Sequence, residues 1–333
     1  MGHVLCFGEI LLRLSAPGGA PLFHEPRLDA NFGGAEANVA VALARLGVPS
    51  AMLSALPDGP VGDAARDGLR RHGVDVSRIV RGDGRLGLYY LTPGAGLRAS
   101  AIVYDRLDSL FARMPAAAYD WPNLLQGASW LHLSGIIPAI GPEAARISLG
   151  AIAAARAAGV RVSFDGNFRA SMWARWCPDP APILCDHVEG ADLLFGNHRD
   201  IALMLGRDFG GDGPERRREA AAAAFHRFPQ LAHIASTARH AIHARHNTLS
   251  ARVDTPADFF ETDALDIADI VDRIGTGDAF AAGVLARLDD GIKAAARTGL
   301  SLAALKHWTP GDQSLATAAD LEGFAQGGHD VRR

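Results

Sequence analysis

Apolar residues fall along this chain in two alternating rhythms. Short apolar runs occupy 4–7, 51–56, 130–134, 160–165, 193–196, 233–236 and 265–271. Between them, apolar positions recur three and four apart, the spacing of one helix face, over 35–46, 62–72, 142–158, 198–205, 215–227, 278–289 and 292–306. In 35–46, Val39, Leu43 and Leu46 share a face and Gly47 supplies the stop; in 278–289 the face is Phe280, Val284, Leu285 and Leu288. Strands alternating with helices in this way predict an α/β fold, a mostly parallel sheet with helices on both faces. Residues 9–32 and 84–107 break the rhythm, being rich in β-formers and turn residues without helical periodicity. Insertions of that kind near strand ends are expected to form a small β-sheet lid over the ligand crevice of one domain spanning 1–333.

Composition narrows the function classes. The chain has 333 residues, 48% of them apolar and 21% charged, with a net charge of −4. That is the profile of a globular enzyme or binding domain and gives no basic surface for nucleic acid. Cys6, Cys177 and Cys185 show no C-x-x-C spacing and are expected to be reduced thiols. No apolar run approaches membrane-spanning length, and "MGHVLCFGEI" lacks a secretory leader pattern. The expectation is a cytoplasmic protein without a membrane or nucleic-acid partner.

Several chemical motifs fail on context. "GDGRLG" (82–87) has dinucleotide-type glycine spacing but precedes a strand pattern instead of opening a helix, and no Walker-type G-x-x-x-x-G-K-[ST] occurs. His240, His243 and His246 lack a neighbouring Cys or carboxylate to complete a metal set, so they are expected to be solvated on a hairpin, and no metal-ligating residues are assigned. Two glycine elements remain. "NFGGAEANVAVALARLG" (31–47) sets Gly33 and Gly34 before a helix with Glu36 and Asn38 in its first turn. "VDRIGTGDAF" (271–280) runs into a helix through Gly275, Thr276 and Gly277, with Asp278 behind them. Glycines at a helix start leave backbone N–H groups free at the positive end of the dipole, an anion site, although Asp278 also fits a plain helix cap.

These two elements, Gly33-Gly34-Ala35-Glu36-Ala37-Asn38 and Asp272-Arg273-Ile274-Gly275-Thr276-Gly277-Asp278, resemble the paired signatures of the ribokinase-like (PfkB-type) carbohydrate kinases. The resemblance implies a Rossmann-like domain with a β-sheet lid and ATP-dependent phosphoryl transfer with Mg²⁺, helped by a monovalent cation such as K⁺. It makes Asp278 the base for the sugar hydroxyl and the N–H groups of Gly275, Thr276 and Gly277 the anion hole. It also implies a homodimer joined through the lids.

"GLYYL" (87–91), "VYDR" (103–106), "LHLSGIIPAI" (131–140), "FDGNFRASMW" (164–173) and "ALKHWTPGD" (304–312) resemble the branch acting on 2-keto-3-deoxygluconate. By that resemblance Gly34, Asn38, Tyr89, Tyr104, Arg106 and Arg169 line the sugar-acid pocket, with Tyr90 the alternative to Tyr89 and Asp312 near the substrate's end. Two arginines suit a carboxylate, or equally a sugar phosphate, and a neutral sugar such as fructose or ribose needs neither. The chain departs from the family where Asn-x-x-Glu is common, reading Asn197-His198-Arg199-Asp200, and where "STARHAIHARHN" (236–247) replaces a glycine-bearing turn. On the nucleotide side the expected contacts are therefore Asn197, Gly275, Gly277 and, by position, Thr237, Ala304 and His307. A catalytically silent sugar-acid or nucleotide sensor is the alternative from another class.

Overall fold

The computed structural model describes residues 2–209 and 213–327. Its strands are β1 (His3–Phe7), β2 (Leu11–Ser15), β3 (Asp29–Gly33), β4 (Ser50–Pro57), β5 (Ile79–Gly82), β6 (Gly87–Thr92), β7 (Ala101–Asp105), β8 (Ala128–Ser134), β9 (Arg161–Asp165), β10 (Leu193–Phe195), β11 (His233–His243), β12 (His246–Asp254), β13 (Phe259–Glu261) and β14 (Leu265–Ile267). A 10-stranded sheet has the order β13-β12-β11-β10-β9-β8-β1-β4-β5, with β14 on β12. From β5 through β11 every neighbouring pair is parallel; β12, β13 and β14 add antiparallel pairs at one edge.

Strand alternation sorts the side chains into two buried layers. Leu5, Phe7, Leu131 and Leu133 enter one layer with the helices Pro142–Ala157 and Ala181–Glu189. Val4, Cys6, Met52 and Trp130 enter the other with the helices Ala35–Arg45, Thr276–Arg287 and Ile292–His307. Among the described residues no helix is long and apolar enough to cross a membrane. The three cysteines are free thiols.

The sequence runs 4–7, 51–56, 130–134, 160–165, 193–196 and 233–236 all lie on parallel strands. The run at 265–271 does not: only Leu265–Ile267 is a strand, antiparallel to β12, and the chain then turns through Asp269 at φ 53°. Beyond Ser236, β11 continues into a hairpin with β12 that carries His240 and His243, exposed, near its tip. The two segments without helical rhythm contribute β2, β3, β6 and β7, a separate 4-stranded sheet of order β3-β2-β6-β7. Its outer pairs are antiparallel and its inner pair, β2 with β6, is parallel.

Helices Thr276–Arg287 and Ile292–His307 cross at a pair of glycines. A Cβ on Gly283 would stand 2.7 Å from the Gly299 Cα, so the backbones touch without a side chain between them. Replacing Gly283 with Ala forces them apart, and overpacking of this kind costs about 1–3 kcal/mol. The expected result is a lower urea midpoint at unchanged m; an unchanged midpoint contradicts the close packing.

Candidate functional site

A topological switch falls at β1, where the chain leaves toward β4 on one side and returns as β8 on the other. Ligands of open α/β sheets bind beyond the carboxyl ends of the strands at such a point. Here a cavity of about 530 Å³ lies against the segments that follow β1, β8 and β10, with Glu9, Ile136 and Asn197 in its walls beside Asp165 at the end of β9 and Thr237 within β11. The small sheet closes one side through Tyr89 and Tyr104. The cavity brings together Gly34, Asn38, Tyr89, Tyr104, Arg106, Arg169, Asn197, Thr237, Gly275, Thr276, Gly277, Asp278 and Asp312.

The helix Thr276–Arg287 begins at this cavity without a side-chain cap. Gly275 precedes it at φ 81°, and a Cβ there would lie 1.7 Å from the Asp312 carbonyl oxygen, so both conformation and space demand glycine. The first N–H groups of a helix have no intrahelical acceptor. The space beside Gly277 is open, so a ligand anion can approach them. Asp278 is not the cap. Its Oδ2 accepts a hydrogen bond of 2.7 Å from Asn38 Nδ2, which comes from the first turn of the helix Ala35–Arg45. Burial pushes the Asp278 carboxyl up to about 6, with the Asn38 bond acting against the shift. The buried Asn38 Oδ1 has no partner among the described residues and can accept from a ligand hydroxyl.

A row of paired positions crosses the small sheet, Asn31 with Arg13, Arg13 with Tyr89 and Tyr89 with Tyr104. Arg13 lies on the buried face of β2 and bridges Asp272 at 2.7 Å and Asp312 at 2.9 Å. Burial works against its charge, but the two carboxylates outweigh burial. Tyr89 donates its hydroxyl to Asp312 Oδ2. Tyr89 and Asp312 therefore meet each other in the cavity wall. Tyr90, the other parity, turns away and packs near Phe23.

The two arginines expected at the sugar acid differ sharply. Arg106 is buried and bonded to Glu9 Oε2 at 2.7 Å through Nε, so its charge is matched within the protein. Arg169 is exposed at the cavity, donates to the Phe168 carbonyl at 3.0 Å and has no ion pair among the described residues. Arg169 is the better-placed cation for a ligand carboxylate.

On the far side, Asn197 and Asp200 form a capping box: Asn197 Oδ1 accepts from Arg199 N at 2.8 Å, and Asp200 Oδ2 accepts from Asn197 N at 2.8 Å. The shorter carboxylate thus sets the helix His198–Leu205 at the cavity edge. Ala304 and His307, expected on the nucleotide side, are not among the residues that line this cavity. Both are fully buried, and the His307 ring is held by the Ala303 carbonyl at 2.7 Å and the Asn247 amide at 3.3 Å.

Sequence reasoning passed over Glu9, Arg13 and Asp165, and named Glu36 in the first turn of its helix without giving it a role. Glu36 is buried at the switch point, accepts from Ser134 Oγ at 2.5 Å and is pushed up to about 7 by burial. Asp165 ends β9 and is pushed up to about 8 by burial and then by the neighbouring Asp278 and Asp200 charges. Asp165 lay within the quoted "FDGNFRASMW", and the end of a parallel strand was its positional signal. Among the described residues no cluster of three or more His, Cys, Asp or Glu side chains forms a metal cage.

The family model described as "pfkB family carbohydrate kinase" matches residues 1–318. A 2-dehydro-3-deoxygalactonokinase of Haloferax volcanii is 34% identical over 331 residues, covering 98% of this chain and 97% of the relative. A 2-dehydro-3-deoxygluconokinase of Bacillus subtilis is 29% identical over 325 residues, 96% of this chain and 94% of the relative. The crystal structure of a 2-dehydro-3-deoxygluconokinase from Thermotoga maritima is similar with a TM-score of 0.93 at 35% identity, covering 98% of both chains.

The Asn38–Asp278 contact is open to a direct check. Asn38→Asp sets a second carboxylate beside Asp278, and like charges raise a carboxyl pKa. Carboxyl ¹³C shifts should then show Asp278 titrating at higher pH than in the parent; an unmoved titration contradicts the contact.

Proposed function

The chain belongs to the pfkB family of carbohydrate kinases, and from that premise we propose that it moves the γ-phosphoryl group of ATP to the terminal hydroxyl of 2-keto-3-deoxygluconate, giving 2-keto-3-deoxy-6-phosphogluconate. One observation carries the reading: a carboxylate, Asp278, held by Asn38 at an uncapped helix N-terminus inside a cavity. Phosphoryl transfer asks for those two parts together, a group that takes the acceptor proton and fixed donors for the charge on the moving phosphoryl. Asp278 accepts the hydroxyl proton as the hydroxyl oxygen bonds to the γ-phosphorus and the bond to the ADP oxygen breaks. The N–H groups at Gly275, Thr276 and Gly277 face the equatorial oxygens.

The acceptor's carboxylate supplies the specificity. Exposed Arg169 takes it, while Arg106, matched by Glu9, fixes the wall with Tyr104. The second reading is the galacto epimer, favoured by the 34% identity to the Haloferax volcanii relative. ATP lies with its phosphates toward the helix end and its base toward Asn197 and Thr237. Magnesium is commonly held by one or two carboxylates plus substrate phosphates; Asp165 and Asp200 are the residues that would hold it here, and it would neutralise phosphate charge. The small sheet acts as the lid of a single domain. Its edge strand β7 exposes Ile102 and Val103 on its two sides, and this edge is where a second copy would join.

Release of ADP with ATP and Mg²⁺ should be selective for 2-keto-3-deoxygluconate or its galacto epimer over fructose, ribose, gluconate and fructose 6-phosphate. Preference for a neutral or phosphorylated sugar contradicts the sugar-acid assignment. Asp278→Asn should lower kcat by about 10²- to 10⁴-fold, the range for a general base, with ATP binding retained. Because the ionised carboxylate is the base and its pKa is about 6, wild-type kcat/KM should fall as pH drops through about 6 and level off above it. Arg169→Ala should raise KM for the acid about 10-fold, a charged hydrogen bond's worth, and leave KM for a poor neutral acceptor unchanged.

A further inference from the structure

Behind the uncapped helix end lies a buried group of charges that makes no contact with the transferred phosphoryl in the mechanism above. Asp272 Oδ1 accepts from Ile274 N at 2.9 Å, and its Oδ2 accepts from Gly311 N at 3.1 Å and from Arg13 at 2.7 Å. Asp312 Oδ1 accepts from Arg13 at 2.9 Å and its Oδ2 from Tyr89. The backbone of Asp312 packs directly on Gly275. The remaining member is Lys306, which has no exposed surface. Its Nζ donates to the Thr309 carbonyl at 2.9 Å, on the loop that leads to Gly311 and Asp312.

Burial acts most strongly on Lys306 and lowers its proton affinity to about 8, while Asp272 and Asp312 favour its charge. It is therefore an ammonium at neutral pH. It also stands in the last turn of the helix Ile292–His307, where helix carbonyls favour a cation. The charges balance: the carboxylates of Asp272 and Asp312 against the guanidinium of Arg13 and the ammonium of Lys306. Balance matters because an unmatched buried charge is strongly destabilising.

The family resemblance implies a monovalent cation that assists the anion hole. Behind the helix end, Asp272 and Asp312 are the carboxylates that could attract such a cation. All their carboxylate oxygens already have donors, and a further cation would add uncompensated positive charge beside Lys306. The residues present do not fit one. We propose that Lys306, together with Arg13, is the fixed cation that holds Asp272, Asp312 and the Gly275 turn in place, so that phosphoryl transfer by this chain needs no added K⁺. Lys306 is a positioning residue in this role, acting through the turn. The inference rests on the kinase reading above but not on the identity of the acceptor.

The test reads initial rates with whichever acceptor of the panel is turned over, so a wrong sugar leaves it decidable. Wild-type rates in tetramethylammonium chloride and in KCl at equal ionic strength should agree within about 2-fold, since the charge is covalently supplied. Activation by K⁺ of about 10-fold or more overturns the proposal. Lys306→Met should lose about 10²-fold in tetramethylammonium, the scale of one lost electrostatic contact, and recover at least about 5-fold in KCl, a small ion replacing the ammonium. Its melting temperature should be the same in both salts, which separates rescue of the turn from rescue of folding. A folded Lys306→Met with full activity and no K⁺ response also overturns it. Because that variant can fail to fold, the wild-type salt series decides the matter alone.

Discussion

One hydrogen bond, from Asn38 to Asp278, joins positions 240 residues apart and fixes the geometry of the site. Each partner sits in the first turn of its own helix, and both helices pack on the same face of the sheet. The bond therefore ties two helix N-termini to one point, where an acceptor hydroxyl can meet both an amide oxygen and a carboxylate. It also tempers the carboxylate: burial raises Asp278 toward neutrality, and the amide donor holds it low enough to be ionised at neutral pH. A base of that strength suits proton acceptance near pH 7.

The surrounding structure keeps that point in register by tight contact and by balanced charge. Gly275 lies on the Asp312 backbone, and Gly34, at φ 129°, lies on the Glu9 carbonyl, where a Cβ would come within 2.2 Å. Neither contact survives a side chain. Arg13 ties the small sheet to the loop before the helix, so the wall carrying Tyr89 and Tyr104 moves with Asp272 and Asp312 or not at all. Buried carboxylates so close to an anion site would repel a phosphate if left alone. Arg13 and Lys306 cancel them, leaving the positive helix end to face the ligand.

Much of the fold was legible because its helices and parallel strands have strong periodicities. The helix expected over 35–46 spans Ala35–Arg45, and that over 292–306 spans Ile292–His307. The antiparallel strands β12 and β13 were not legible. β12 is buried nearly throughout yet carries Asn247, Ser250, Arg252 and Asp254, so neither an apolar run nor an apolar alternation marks it, and β13 is only three residues long. In the site, the two glycine signatures were readable because a glycine turn leading into a helix has few other purposes. Arg13 was missed because Leu-Leu-Arg-Leu-Ser reads apolar at Leu12 and Leu14, the parity opposite to the buried Leu11, Arg13 and Ser15. Lys306 did leave a signal, a lysine on the packed face of an alanine-rich helix. Ala304 and His307 were placed by position alone, and their burial was not readable from it. Nor did sequence show that Arg106 is held by Glu9, a pairing across 97 residues.

The most direct measurement is a crystal structure of the protein with 2-keto-3-deoxygluconate and a non-transferable ATP analogue. The terminal hydroxyl should lie within hydrogen-bonding distance of both Asp278 and Asn38, in line with the γ-phosphorus, with the acid's carboxylate on Arg169. A sugar bound in the reverse sense, its carboxylate toward the helix end and its terminal hydroxyl remote from Asp278, would contradict it.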